Sequence, residues 1–212
     1  MNTKGILNSV RWFINLFFYS YLLFIPLFWF FMLGEYLASD SDKAMLTQIQ
    51  HGKFIGAQVQ PHEAIAAGKA FVLEETHAAL WVKTESLAEF IFFSRIGYQE
   101  DFGVNFILPF FGLAITFLLK RIFDSLHKGD IFTAANAKRI LQIGWVLIAK
   151  YSYMVSISFW LSNFLQKLNL PYEYASGRMP EGNDLHLGIL ILCIGLVYKE
   201  GVKLKREAEL VI

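Results

Sequence analysis

Apolar residues are concentrated in four stretches of the chain that polar segments separate. The first stretch, from Trp12 to Leu33, has 22 residues and no charged side chain. A helix needs about 20 mostly apolar residues to cross a hydrocarbon core of about 30 Å. Further stretches run from about Phe102 to Leu119, Ile140 to Leu165 and Leu185 to Tyr198. The pattern predicts four membrane-spanning helices, of which the last must continue past its short apolar run or tilt little.

The segment between the first two stretches is too long for a simple connection. Short alternating runs within it are typical of strands: GKFIGAQV, KAFVLEE and AALWVKT. A later run, SLAEFIFFSRIGY, predicts an amphipathic helix at the membrane interface. The predicted fold class is an all-α membrane protein, a four-helix bundle with a small α+β extracytoplasmic lobe between helices one and two.

The predicted organisation alternates between the two sides of the membrane. In chain order it is a cytoplasmic N-terminus with helix one (1–33), the extracytoplasmic lobe (34–101), helix two with a cytoplasmic extension (102–126), a cytoplasmic corner (127–139), helix three (140–165), an extracytoplasmic loop (166–184), and helix four with a cytoplasmic tail (185–212). Lys and Arg support this orientation, because the cytoplasmic pieces carry 11 in 45 residues and the outer pieces 7 in 87. Both termini are therefore expected in the cytoplasm.

Composition agrees with a membrane protein and excludes other classes. Hydrophobic residues make up 55% of the chain and charged residues 17%, and the mean hydropathy is +0.43, more apolar surface than a soluble interior of this size can hold. A net charge of +1 gives no support for direct nucleic-acid binding. One cysteine, Cys193, excludes a disulfide scaffold.

The cytoplasmic corner contains residues with clear local roles. Gly129 can end the second helix in a left-handed conformation, and Thr133 is placed to cap the third, with Ile131 and Phe132 packing back as a staple. Asn136, one turn later, is able to bond across the hairpin. The simplest interpretation is a rigid two-helix corner, and the alternative is a docking surface for a cytoplasmic partner.

Two segments also carry a family resemblance. The corner GDIFTAANAKRILQIG and the tail EGVKLKREAELVI resemble the uncharacterised bacterial four-span family of domain of unknown function 2975. The matching positions are Gly129, Phe132, Thr133, Asn136, Ile140, Gly144, Gly201, Leu204, Glu207, Glu209 and Leu210. The departures are Val211, where the family often has Thr, and a long first outer loop. The resemblance implies a multi-pass protein of the bacterial cytoplasmic (inner) membrane and brings no established activity with it.

Lys150 is a charged residue inside the third stretch. It lies eleven residues after Arg139, about 16 Å further along a helix, and a charge near the middle of a membrane costs at least ~2.5 kcal/mol. No carboxylate lies deep in another predicted span, so the expected partners are polar and neutral: Tyr151, Ser152, Tyr153, Asn15, Asn105, Tyr19 and Tyr21. Lys150 either snorkels or stays neutral among hydroxyl groups, or it serves an ion route, a proton-sensitive switch or an interhelical anchor.

Small residues suggest where helices approach closely. Ser152 and Ser156 have the small-x-x-x-small spacing in the third stretch, and Gly188 and Gly195 lie one heptad apart in the fourth. Bundle packing is the favoured interpretation, and a polar substrate path through the third stretch is the alternative.

No sequence motif indicates catalysis. The chain has no metalloprotease, nucleophile-elbow or nucleotide-binding signature, and His51, His62 and His77 have no metal-ligand spacing. We therefore expect no catalytic residue, metal or cofactor, and partners that are the lipid bilayer and another protein or further copies of the chain.

The expected function is that of a non-catalytic accessory subunit, sensor or regulatory scaffold. Its inner readout would use Thr133, Asn136, Arg139, Glu207 and Glu209. The alternative is a homo-oligomeric channel or transporter component in which Lys150, Ser152 and Ser156 line a polar route.

Overall fold

The computed structural model describes four long helices and a four-stranded sheet. The described residues are 3–38, 46–51, 62–66, 69–74, 79–83, 87–88, 91, 106–167 and 182–210. The helices are α1 (Thr3–Ala38), α2 (Leu108–His127), α3 (Ala134–Lys167) and α4 (Asn183–Leu210). The strands are β1 (Leu46–His51), β2 (His62–Ala66), β3 (Lys69–Glu74) and β4 (Ala79–Lys83).

Three helices are long and apolar enough to cross a membrane. The qualifying segments are Gly5–Gly34, Ala134–Trp160 and Asn183–Leu210, which supports three of the four predicted spans. Within α2 only residues 108–119 precede the charged pair Lys120 and Arg121, about 18 Å of helix at 1.5 Å per residue. The beginning of the predicted second span, residues 102–105, lies outside the described residues.

The strands form one antiparallel sheet in the order β1-β4-β3-β2. Strands β2 and β3 pair with Ala66 opposite Lys69, so two residues connect them. The β1–β4 pairing shifts register between Ile49 and His51. Strands β3 and β4 coincide with KAFVLE and ALWVK, whereas the GKFIGAQV run and most of the predicted interfacial helix lie outside the described residues.

The chain divides into two compact units. The first contains residues 1–25, 110–152 and 181–212, and the second contains residues 26–109 and 153–180. In the first unit, Ile122 of α2 and Ile143 and Leu147 of α3 form a buried cluster. In the second unit, Phe106 is completely buried beside Met32, and its ring centroid lies 5.0 Å from that of Trp29.

Helices α1 and α2 approach closely within the first unit. A Cβ atom added to Gly112 of α2 would lie 2.6 Å from Cζ of Tyr21 of α1, so a side chain at this position would require the Tyr21 ring to move. Nearby, the ring centroids of Phe18 and Phe117 lie 6.1 Å apart. Further along the same pair of helices, the guanidinium of Arg11 forms an ion pair of 2.8 Å with Asp124. These contacts fix the α1–α2 register.

Candidate functional site

The loop between α2 and α3, residues 128–133, together with the ends of the two helices is called here the corner. Helix α2 ends at His127, and Gly129, two residues later, has a φ of +86°, in the left-handed region that favours glycine. The Gly129 amide donates to the Leu126 carbonyl and the Asp130 amide to the Ser125 carbonyl, each at 3.1 Å. This is a Schellman ending, which satisfies carbonyl groups that a helix terminus leaves free, and it confirms the conformation predicted for Gly129.

Thr133 caps α3, as its position in the sequence predicts. Its hydroxyl oxygen accepts a hydrogen bond of 3.2 Å from the Asn136 amide, and its carbonyl accepts one from the Ala137 amide. The preceding Phe132 stacks on Tyr198 of α4, with ring centroids 5.4 Å apart. Phe132 lies just before α3, so its ring connects the beginning of α3 to α4.

Asn136 is the central residue of the corner and is completely buried. Its side-chain amide donates to the Ser125 hydroxyl and to the Asp130 carbonyl, both at 3.0 Å, and to the Ile131 carbonyl at 3.3 Å. Its carbonyl oxygen accepts a bond of 2.7 Å from Arg139. The predicted bond across the hairpin is therefore present.

Two further contacts extend the corner to its neighbours. Arg139 also donates to the Arg121 carbonyl near the end of α2, at 3.2 Å. The Tyr198 hydroxyl of α4 donates to the Ile131 carbonyl. The corner thus connects three helices through hydrogen bonds, and the contact from Tyr198 is one that sequence reasoning missed.

The acidic tail residues are less closely involved. Both Glu207 and Glu209 are exposed, and Glu209 lines the same groove as Phe132 and Thr133. The ion pair found on this part of α4 joins Lys205 and Glu209 at 3.7 Å. Lys205 and Glu209 are four residues apart, and Lys203 and Glu207 have the same spacing.

Lys150 has a partner that the sequence did not suggest. Its ammonium lies 2.8 Å from Oδ2 of Asp184 in the first turn of α4, and each side chain is 33% exposed. The prediction that only neutral groups surround Lys150 is therefore wrong, because α4 begins level with Lys150 and brings a carboxylate to it. The residue serves as an interhelical contact.

The other intramembrane polar candidates are spread over α1 and α3. Ser152 and Ser156 are exposed and Tyr153 is half-buried on α3. The side-chain oxygen of Asn15 is buried on α1 without a hydrogen-bond partner among the described residues. Asn105 lies outside the described residues.

Helices α3 and α4 approach each other closely at Gly144, Gly188 and Gly195. A Cβ atom added to Gly144 would lie 2.9 Å from the Gly188 carbonyl, and one added to Gly188 would lie 3.1 Å from the Gly144 carbonyl. One added to Gly195 would lie 2.8 Å from the Leu141 side chain. The expectation of close packing at Gly188 and Gly195 is confirmed, and the α3 residues that face them are Gly144 and Leu141, not the serines.

Two basic side chains, Lys120 and Arg11, lower the pKa of Asp124 near the end of α2. Burial raises the pKa of Asp124, but the hydrogen bond and charge of Lys120, followed by those of Arg11, outweigh this and lower the pKa below its ordinary value of 3.8. Lys120 lies 3.1 Å from Oδ2 of Asp124. No group of three or more metal-binding side chains occurs among the described residues.

These long apolar helices, joined by a hydrogen-bonded corner, define a helical membrane protein. A family model described as "Protein of unknown function (DUF2975)" matches residues 102–212, from before α2 to the end of the chain. The chain belongs to this family, which confirms the resemblance seen in the corner and the tail. No curated protein and no solved structure matches the chain.

Proposed function

We propose that this chain is a non-catalytic membrane protein that acts as an accessory subunit, sensor or regulatory scaffold through contacts with other proteins. The observation that carries the proposal is the corner, in which the buried Asn136 binds the end of α2, the loop and Arg139 together. A surface held this firmly by local hydrogen bonds is preorganised for protein recognition, because little conformational entropy is lost on binding.

The proposed arrangement in the membrane has four spans and both termini in the cytoplasm of a bacterial cell. The distribution of Lys and Arg supports this orientation. The second span would contain the apolar part of α2, residues 108–119. The sheet of β1–β4, which lies between α1 and α2 in the chain, would then belong to a lobe on the outer side, where a partner or ligand would bind. The corner would be the inner readout.

A channel or transporter component, assembled from several copies, is the second candidate. It is favoured by the Lys150–Asp184 pair, because ionisable residues within apolar helices often mark ion pathways. The approach of Gly144 to Gly188 counts against a route between α3 and α4 of one chain, since a Cβ atom would not fit between them. A polar route would have to run between copies.

Native mass spectrometry of the tagged full-length chain, expressed in its own host and extracted into lipid nanodiscs, tests the proposal. We expect a second, different chain at fixed stoichiometry. The variant Ile131→Asp, which places a charge on the half-exposed corner surface, should lose this chain. The matched variant Leu204→Asp, at an exposed position on α4, should keep it.

The other outcomes decide between the candidates. A closed homo-oligomer without a foreign chain would support the channel and overturn the scaffold. A bare monomer would contradict both. Loss of the second chain in both Asp variants would show that its binding does not depend specifically on the corner.

A further inference from the structure

A groove of about 690 Å³ lies between the beginning of α3 and the second half of α4. Lys199, Lys203 and Arg206 of α4 line it and are spaced by four and three residues, which places them on one helix face. Lys138 of α3 lines the opposite wall.

The groove carries an excess of positive charge. Five of its lining residues are Lys or Arg, and the only acidic one is Glu209, which pairs with Lys205. Within the part of the chain that the structure describes, the other four cations have no carboxylate partner, and all four are exposed. The groove is therefore suited to an anion.

Apolar side chains line the groove beside the basic ones. Leu141 and Ala137 of α3 and Val202 of α4 line it together with Phe132. The apolar run of α4 ends at Tyr198, and the apolar stretch of α3 begins at about Ile140, after Lys138 and Arg139. On both helices the groove thus lies where an apolar stretch meets a charged one. A phospholipid has the same order of polarity, with an acyl chain next to an anionic headgroup.

We propose that this groove is a binding site for one anionic phospholipid from the adjoining membrane leaflet. Lys199, Lys203 and Arg206 bind its phosphate, and an acyl chain lies along Leu141, in the apolar stretch of α3. Basic pockets between membrane helices recognise anionic headgroups in this way. The site is independent of the scaffold function proposed above.

Native mass spectrometry of the detergent-solubilised full chain with equimolar phosphatidylglycerol and phosphatidylcholine tests the site. We expect one phosphatidylglycerol per chain to be retained preferentially. Each basic residue near a membrane surface contributes about a fivefold preference for anionic lipid, so Lys199→Gln/Lys203→Gln should weaken retention about 25-fold. The control Arg121→Gln/Lys128→Gln removes two exposed cations that do not line the groove and should retain the lipid.

Further arms of the experiment distinguish a lipid site from a folding defect, from general surface charge and from a free-anion site. The variant Lys199→Arg/Lys203→Arg keeps the charge and should retain phosphatidylglycerol, which shows that a loss in the Gln variant is not a folding defect. Equal retention of the two lipids would overturn the proposal. So would an equal loss in the groove variant and its control, which indicates general surface charge. Displacement of the lipid by millimolar inorganic phosphate at constant ionic strength would assign the groove to a free anion instead.

Discussion

The ammonium of Lys150 and the carboxylate of Asp184 lie 2.8 Å apart and join α3 to the first turn of α4. Asp184 also occupies a helix N-terminus, where a negative charge is stabilised by the helix dipole. Each charge thus satisfies the other in an otherwise apolar stretch. The pair and the glycine contacts nearby act on the same two helices, so together they set the α3–α4 register.

Lys150→Leu is expected to destabilise the protein, because it leaves the Asp184 carboxylate without its partner. An unpaired charge at the centre of an apolar span costs about 2.5–3.5 kcal/mol on insertion scales, and the cost at Asp184 should be smaller because its side chain is one-third exposed in the first turn of α4. The double variant Lys150→Leu/Asp184→Asn removes both charges and should recover most of the loss. Unfolding by sodium dodecyl sulfate in mixed micelles, followed by circular dichroism, measures both variants. Equal stability of the single and double variants would show that the pair makes no net contribution.

The corner was predictable from sequence because its determinants are local. Gly129, Thr133 and Asn136 lie within eight residues, and the bonds that each makes follow from helix-terminus geometry. The contact from Tyr198 to the Ile131 carbonyl joins residues 67 positions apart. No local rule relates positions so distant, so this contact could not be predicted.

Asp184 was missed for a different reason. The sequence analysis placed it at the end of an outer loop, residues 166–184, because the fourth apolar run begins at Leu185. The contact between Gly144 and Gly188 puts these two residues at the same level, and from there Lys150 lies about 9 Å and Asp184 about 6 Å along the helices. A lysine side chain bridges this difference. The shortness of the fourth apolar run, which begins at Leu185, was therefore the feature of the sequence that pointed to an ion pair between Lys150 and Asp184.

Substitution of the helix glycines by alanine should have effects of opposite sign. Gly144→Ala forces a Cβ atom to within 2.9 Å of the Gly188 backbone carbonyl, and such overpacking costs about 1–3 kcal/mol. Gly201 of α4 has nothing within 4 Å of the added atom, so Gly201→Ala should gain about 1 kcal/mol from helix propensity. The same micelle unfolding assay compares the two variants. Equal effects would contradict the close approach of α3 and α4.

Asn136→Ala is expected to loosen the corner while the helices persist. The change removes the buried hydrogen bonds to Ser125 and Arg139, and each partner left unsatisfied costs about 1–3 kcal/mol. Trypsin cleavage after Lys128, an exposed residue of the corner, should become faster in nanodiscs. The matched variant Asn8→Ala changes an exposed residue of α1 and should leave the rate unchanged. An unchanged rate in Asn136→Ala would mean that other contacts hold the corner.

Acid should weaken the α1–α2 contact through Asp124. Because the folded-state pKa of Asp124 lies below its ordinary value of 3.8, the ionised carboxylate stabilises the folded state. This contribution is fully present above the ordinary pKa and is lost as the pH falls through the folded-state value, hence below about pH 4. Its size is about 1 kcal/mol, since both Arg11 and Asp124 are partly exposed.

Thermal unfolding in detergent between pH 7 and pH 3, followed by tryptophan fluorescence, measures this acid effect. Asp124→Asn should lower the midpoint at pH 7 and flatten its fall in acid, because the variant has no carboxylate to protonate. Asp130→Asn, at an exposed position of the corner, should behave like the unmodified protein in this range. If Asp124→Asn loses stability in acid as steeply as the unmodified protein, the acid sensitivity comes from other carboxylates, and the ion pair with Arg11 does not hold α1 to α2.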